Sequence, residues 1–167
     1  MSTIIGVMGA GKALSEEEQQ TAYRLGYLIA EKGWILLTGG RNAGVMEAAS
    51  QGARTAAGIV IGILPDADQS TMSKAVNIPI ITGIGHARNV VNILSSDIVV
   101  ACGEPGAGTA SEICLALKIA KPVILLNTNE EALQFFRWLG GSAVSLATKS
   151  EEVIQQIEKT LGNIKEN

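Results

Sequence analysis

The sequence predicts an α/β fold of three layers, doubly wound around a mostly parallel sheet of about seven strands. Three observations predict it. Short β-branched runs alternate with longer segments of helical period, the pattern of strand–helix–strand units. The runs are apolar almost throughout, as expected of strands covered on both faces. Finally, 47% apolar against 17% charged residues gives the 167-residue chain enough core for one domain, expected to span residues 1–167.

The first strand is expected over residues 3–8. A helix over 15–32 follows, opened by Ser15-x-x-Glu18, a capping box, and closed by Gly33 as its C-cap. A strand at 34–38, a helix at 43–57 and a strand at 59–64 come next. The polar stretch 65–76 has no periodicity and reads as a lid or a surface connection. Strands at 78–82, 97–101 and 123–127 then alternate with helices at 86–95, 109–120 and 130–140. A weak strand at 143–146 precedes a last helix, 150–161, whose first turn carries Glu151 and Glu152 toward the positive end of its dipole. Residues 163–167 form a short polar tail.

A net charge of -3 with dispersed bases gives no electrostatic footprint for nucleic acid or an anionic membrane. The apolar runs are broken within ~10 residues, too short to cross a bilayer. Cys102 and Cys114 cannot build a disulfide framework, and no secretory signal is expected before the first strand. A cytoplasmic protein with neither nucleic acid nor membrane as partner is the expectation.

Three glycine-rich turns join predicted strands to the segments that follow: Gly9-Ala10-Gly11-Lys12, Gly39-Gly40-Arg41-Asn42-Ala43-Gly44, and Gly103-Glu104-Pro105-Gly106-Ala107-Gly108-Thr109. Such turns expose backbone N–H groups beside a helix dipole, which suits phosphate or another oxyanion. In an open parallel sheet the ligand sits beyond the carboxyl ends of the strands, where strand order reverses, so the turns can converge on one crevice. Arg41 adds a planar fork for an oxyanion. Arg88 stands near a helix start, where the dipole disfavours a cation, so an anion or a carboxylate partner is expected beside it.

Familiar nucleotide loops fit poorly. A Walker A loop needs Ser or Thr where Ala13 stands, and the dinucleotide fingerprint needs a third glycine where Leu14 stands. Thr109-x-x-Glu112 reads either as a capping box or as a placement for a general acid or base. His86 is the single histidine, so no independent protein-ligated metal is expected. Lys12 reads as solvated or as a ligand contact, and Cys102 as a small apolar core residue.

Gly39-Gly40-x4-Val45-Met46, Arg88 and Gly106-x-Gly108-Thr109-x-x-Glu112 resemble the nucleotide-binding superfamily that contains the LONELY GUY phosphoribohydrolases. Those enzymes cleave the N-glycosidic bond of nucleoside 5′-monophosphates. The resemblance implies Arg88 and Glu112 as a catalytic pair, with Gly106, Gly108 and Thr109 in the phosphate loop. The chain departs at Glu104-Pro105, where that family has Pro-Gly, and at Asn89, where it has Lys.

A longer match runs from Ile4 to about Asn127. Ile5-Gly6-Val7-Met8-Gly9-x-Gly11-Lys12, the run from Gly33 to Arg41, Val76-x-Ile78-Pro79-Ile80, Leu94-Ser95-Ser96 and Pro105-Gly106-x-Gly108-Thr109-Ala110-x-Glu112 resemble the molybdenum cofactor carrier proteins. That resemblance implies a Rossmann-like fold and a homo-oligomer, dimer or tetramer. It implies binding, storage and protection of molybdenum cofactor (molybdopterin), handed on among cofactor-synthesis proteins or molybdoenzymes. The metal then arrives already ligated by the pterin's sulfurs, and no catalytic residue is required. The expected binding residues are Gly9, Ala10, Gly11 and Lys12 of the first turn, with Gly39, Gly40, Arg41, Gly44, Val45 and Met46 of the second. Arg88 and then Gly106, Ala107, Gly108, Thr109 and Glu112 complete the set. Phe135, Phe136, Trp138 and Leu139 are expected either at an interface between copies or in the core.

Overall fold

A computed structural model describes residues 2–165. Seven strands form one sheet: β1 (Ile4–Gly9), β2 (Ile35–Thr38), β3 (Val60–Leu64), β4 (Ile78–Ile81), β5 (Ile98–Cys102), β6 (Val123–Leu126) and β7 (Val144–Ala147). Their order is β4-β3-β2-β1-β5-β6-β7, and every neighbouring pair is parallel. Alternation along β5 shows why both faces are covered. Ile98, Val100 and Cys102 enter one core, and Val99 and Ala101 enter the other. The first core is closed by α1 (Glu16–Glu31), α2 (Gly44–Thr55) and α6 (Ser150–Lys165). The second is closed by α3 (Arg88–Leu94), α4 (Ala107–Lys118) and α5 (Glu130–Gly140).

The chain steps outward from β1 to β4, then returns to place β5 on the free side of β1. The two halves therefore part between β1 and β5, and the loops leaving those strands flank an open crevice. Local sequence sets the elements. Ser15 and Glu18 form the expected capping box at α1, and the Asn129 side chain caps α5. A β-carbon at Gly26 or Gly52 would strike the backbone of the facing helix, so these glycines let α1 and α2 pack closely. Lys121 Nζ donates to the Ile93 carbonyl at 2.6 Å, the Leu94 carbonyl at 3.0 Å and the Ser96 carbonyl, and so ties down the C-terminal end of α3.

The structure differs from expectation at two helix starts and decides between alternatives at two further places. The helix expected over 86–95 divides into a 3-10 turn, Gly85–Ala87, and α3, because Gly85 takes φ +58° and its N–H donates to the Pro65 carbonyl. The stretch 65–76 is the surface connection between β3 and β4, and it is also pinned to a second loop. Asn42 N donates to Thr71 O at 2.8 Å and Ser73 N to Gly40 O at 2.9 Å, which joins it to the loop after β2. The helix α4 begins at Ala107 with Gly106 as its N-cap, so Thr109 and Glu112 lie inside the helix and form no capping box. Within α5, Phe136 is buried whereas Phe135, Trp138 and Leu139 are exposed. Among the described residues, no helix is long and apolar enough to cross a membrane. No group of three or more His, Cys, Asp or Glu side chains among them could hold a metal ion.

Candidate functional site

The crevice between β1 and β5 is a cleft of about 480 Å³. Gly9, Ala10, Gly11 and Lys12, just past β1, form one wall. Gly39 and Arg41 from the end of β2, with Met46 of α2, form a second. Arg88 of α3 closes the base, and Gly106, Gly108, Thr109 and Glu112 bring in the start of α4. Twelve residues singled out in the sequence thus line one cavity.

Four others stand behind it. Gly40, at φ +75°, presses on Gly62 of β3, where a β-carbon would come within 2.9 Å of the Gly62 Cα. A β-carbon at Gly44 would strike the Ala10 carbonyl, and Val45 N donates to that same carbonyl at 3.0 Å. Gly44 and Val45 therefore fasten the start of α2 beneath the first turn. Ala107, the first residue of α4, is exposed and outside the cavity lining.

Each wall has a physical cause. A β-carbon at Gly9 would stand 2.6 Å from Val45 Cγ2 and 2.8 Å from the Cys102 carbonyl, so glycine lets the first turn sit between α2 and β5. At Gly39 a β-carbon would stand 2.6 Å from both Arg88 Nη1 and Met46 Sδ, so glycine clears space for a guanidinium. The N-cap of α4 makes no side-chain hydrogen bond, in contrast to α1 and α5. Its first N–H groups are left for another partner, at the positive end of a twelve-residue helix.

Arg88 is the best-placed cation. It is 9% exposed, and its Nε has no hydrogen-bond partner. Its Nη1 lies 3.7 Å from Glu112 Oε1, an ion pair too long for a strong hydrogen bond. Asn92, also fully buried, donates from Nδ2 to Glu112 Oε1 at 2.8 Å. Burial raises the Glu112 carboxyl above its ordinary value, with the Asn92 bond and Arg88 opposing. Burial likewise pulls the Arg88 guanidinium down, offset in part by Glu112. At the rim, Arg41 Nη2 lies 3.8 Å from Asp66 Oδ2, which accepts from Thr71 Oγ1 at 2.7 Å. The arrangement suits an oxyanion with more than one charged end: donors at the base, a second guanidinium at the rim and Lys12 on the far turn.

Sequence reasoning missed several lining residues. Pro65 and Asp66 enter because the stretch after β3 is hydrogen-bonded to the loop after β2, a long-range pairing without local signal. Gly85, His86, Asn89 and Glu104 also line the cleft, though none was assigned to the binding set. Asn92 carries a readable signal: it lies four residues after Arg88, on the same face of α3.

A family model for the SLOG cluster4 family matches residues 2–158. The chain is 51% identical to the molybdenum cofactor binding protein of Rippkaea orientalis, with a TM-score of 0.93 over 96% of this chain and 98% of that one. It is 49% identical to the molybdenum cofactor carrier protein of Chlamydomonas reinhardtii, with a TM-score of 0.92 over 97% and 99% of the two chains. An uncharacterized protein of Archaeoglobus fulgidus is 48% identical over 122 residues, which are 73% of this chain and 78% of that protein. The fold, the match over nearly all of the sequence and the family model agree: the chain belongs to the SLOG cluster4 family and is similar throughout to molybdenum cofactor carrier proteins of known structure.

Proposed function

We propose that this protein binds, stores and hands on molybdenum cofactor, and that the cleft between β1 and β5 is where the cargo sits. One observation carries the assignment of the site. The buried Arg88, with an unpartnered Nε, and the uncapped start of α4 line the same cavity. A buried unpaired donor is costly unless a ligand completes it, and an oxyanion completes both groups at once. The N–H groups around Gly106, Gly108 and Thr109, with Arg88, would hold one anionic end of the cargo. Arg41 and Lys12 would meet another. The bound cofactor brings its own ligated metal, so the protein supplies orientation, charge and cover. Similarity to carriers from two organisms supports the same reading.

The test is to incubate the purified protein with cofactor in air, release it by denaturation and reconstitute a cofactor-free molybdoenzyme. The protein is expected to extend cofactor survival well beyond albumin. Decay at the albumin rate would overturn the reading. Self-association as a dimer or tetramer, a cytoplasmic setting and transfer to a molybdoenzyme extend the same proposal. Sedimentation and direct transfer assays address the first and the last.

A second reading rests on Glu112. A buried carboxyl held above its ordinary value beside a guanidinium could keep a proton for a departing base, as a nucleoside 5′-monophosphate phosphoribohydrolase requires. Release of free base from AMP would support it. The variant Glu112→Gln separates the two, because hydrolysis then collapses whereas cofactor retention changes little.

A further inference from the structure

A second cavity, of about 160 Å³, adjoins the cleft and shares Ala10, Lys12 and Glu104 with it. It opens toward the other face of the sheet, since its floor is Leu14, Val45 and Cys102, which belong to the core under α1, α2 and α6. Its remaining wall brings Glu18 and Thr21 of α1 together with Asn127, just past β6. Thr21 is half-buried, and Asn127 and Glu104 are exposed, so the polar side chains of this wall are open to an incoming ligand. Asn127 holds φ +54°, a left-handed backbone that asparagine accepts more readily than other non-glycine residues.

These features select a ligand. Carboxylates only accept hydrogen bonds, and an amide both donates and accepts. The floor is apolar, and Lys12 on the shared border is the lone cation lining the pocket, so a second oxyanion would meet Glu18 and Glu104 instead of donors. The Ser15 N–H, which donates to Glu18, holds that carboxyl below its ordinary value and keeps it an acceptor. Burial pushes the Cys102 thiol up to about 12, so the floor is inert. The volume is below the ~300–1,000 Å³ of whole-ligand sites, which suits one end of a flat ring system.

We propose that this pocket reads the 2-amino-4-oxopyrimidine edge of a fused heteroaromatic ring, the edge that pterin and guanine share. Adjacent ring and exocyclic N–H donors meet the carboxylate side, Asn127 and Thr21 serve the remaining polar atoms, and the ring face lies on Val45 and Cys102. The proposal rests on the cleft holding the anionic part of the same ligand. It adds the determinant that distinguishes this cargo from a bare oxyanion.

Neopterin, GMP and AMP are the probes, titrated by fluorescence or calorimetry against the wild-type chain, with molybdate as the probe of the main cleft. Neopterin or GMP is expected to bind at least about tenfold more tightly than AMP, which lacks the shared edge. Preference for neopterin identifies the source as the cofactor's pterin; preference for GMP identifies a guanine nucleotide. Glu18→Gln keeps the capping box, because glutamine serves at that position, and Thr21→Val keeps the side-chain shape. Each should weaken the preferred probe by about tenfold and leave molybdate binding unchanged. Equal binding of AMP, no binding of either edge-bearing probe, or unchanged affinity in both variants would overturn the pocket. Lost cofactor protection with the ring preference intact would instead strike the carrier reading alone.

Discussion

The Arg88 guanidinium lies against the backbone of Gly39, close enough that any side chain at position 39 would displace it. Gly39 follows β2 and Arg88 opens α3, within the crossover that carries the chain from β4 back to β5, so the two meet only in the folded chain.

Gly39→Ala tests that relationship directly. The position is absent from the left-handed backbone region, so alanine is tolerated there except for its β-carbon, 2.6 Å from Arg88 Nη1 and Met46 Sδ. Overpacking of this kind costs roughly 1–3 kcal/mol of stability. Molybdate or phosphate affinity should fall by about tenfold as Arg88 shifts, measured by calorimetry beside a urea titration. Unchanged affinity would separate Arg88 from the anion.

Glu112 makes stability depend on pH in a defined direction. Burial raises its carboxyl in the folded state above the ordinary 4.5, so the native chain keeps this proton to higher pH than the unfolded chain does. Its contribution is complete below that ordinary value and is lost as pH rises through the folded one, with a slope of at most about 1.4 kcal/mol per pH unit. Urea unfolding of wild type and Glu112→Gln from pH 4.5 toward neutrality should therefore show the wild type losing stability relative to the variant. Parallel curves would exclude the shift.

Thiol chemistry distinguishes the two cysteines. Cys102 is buried with its thiol pushed up to about 12, and Cys114 is exposed. An aromatic disulfide reagent should titrate Cys114 alone in the native protein and both after unfolding. Rapid native reaction of both would contradict the packing around β5.

Lys121 serves the fold at a distance from the cleft. Its ammonium meets three carbonyls at the end of α3. Lys121→Met should lower stability by roughly 1–3 kcal/mol while molybdate affinity holds. A large loss of affinity would mean that this end of α3 also controls where Arg88 stands.

Much of the fold was legible because the signals were local. Apolar runs marked all seven strands, and Ser15-x-x-Glu18 marked the start of α1. The glycines at strand ends marked two walls of the cleft, and Arg88 stood out as a cation where a helix dipole disfavours one. Glu112 was ambiguous, since a local capping pattern competed with a role in the cleft; the earlier start of α4 decides against the cap. Gly40 and Gly44 shared a turn with lining residues of the cleft but press on packing partners, and Val45 turns toward the second cavity, distinctions that spacing does not encode. Pro65 and Asp66 were invisible because backbone bonds between distant loops place them.

The hydrogen bond from Val45 N to the Ala10 carbonyl, with Gly44 packed on that same carbonyl, fastens the turns after β1 and β2 to each other. An arriving cargo meets a mould already set, so capture spends little conformational entropy on ordering these two turns. Discrimination between guests is left to charge and outline, and departure needs no unfolding of either turn. Such a vessel is suited to filling and emptying many times without wear.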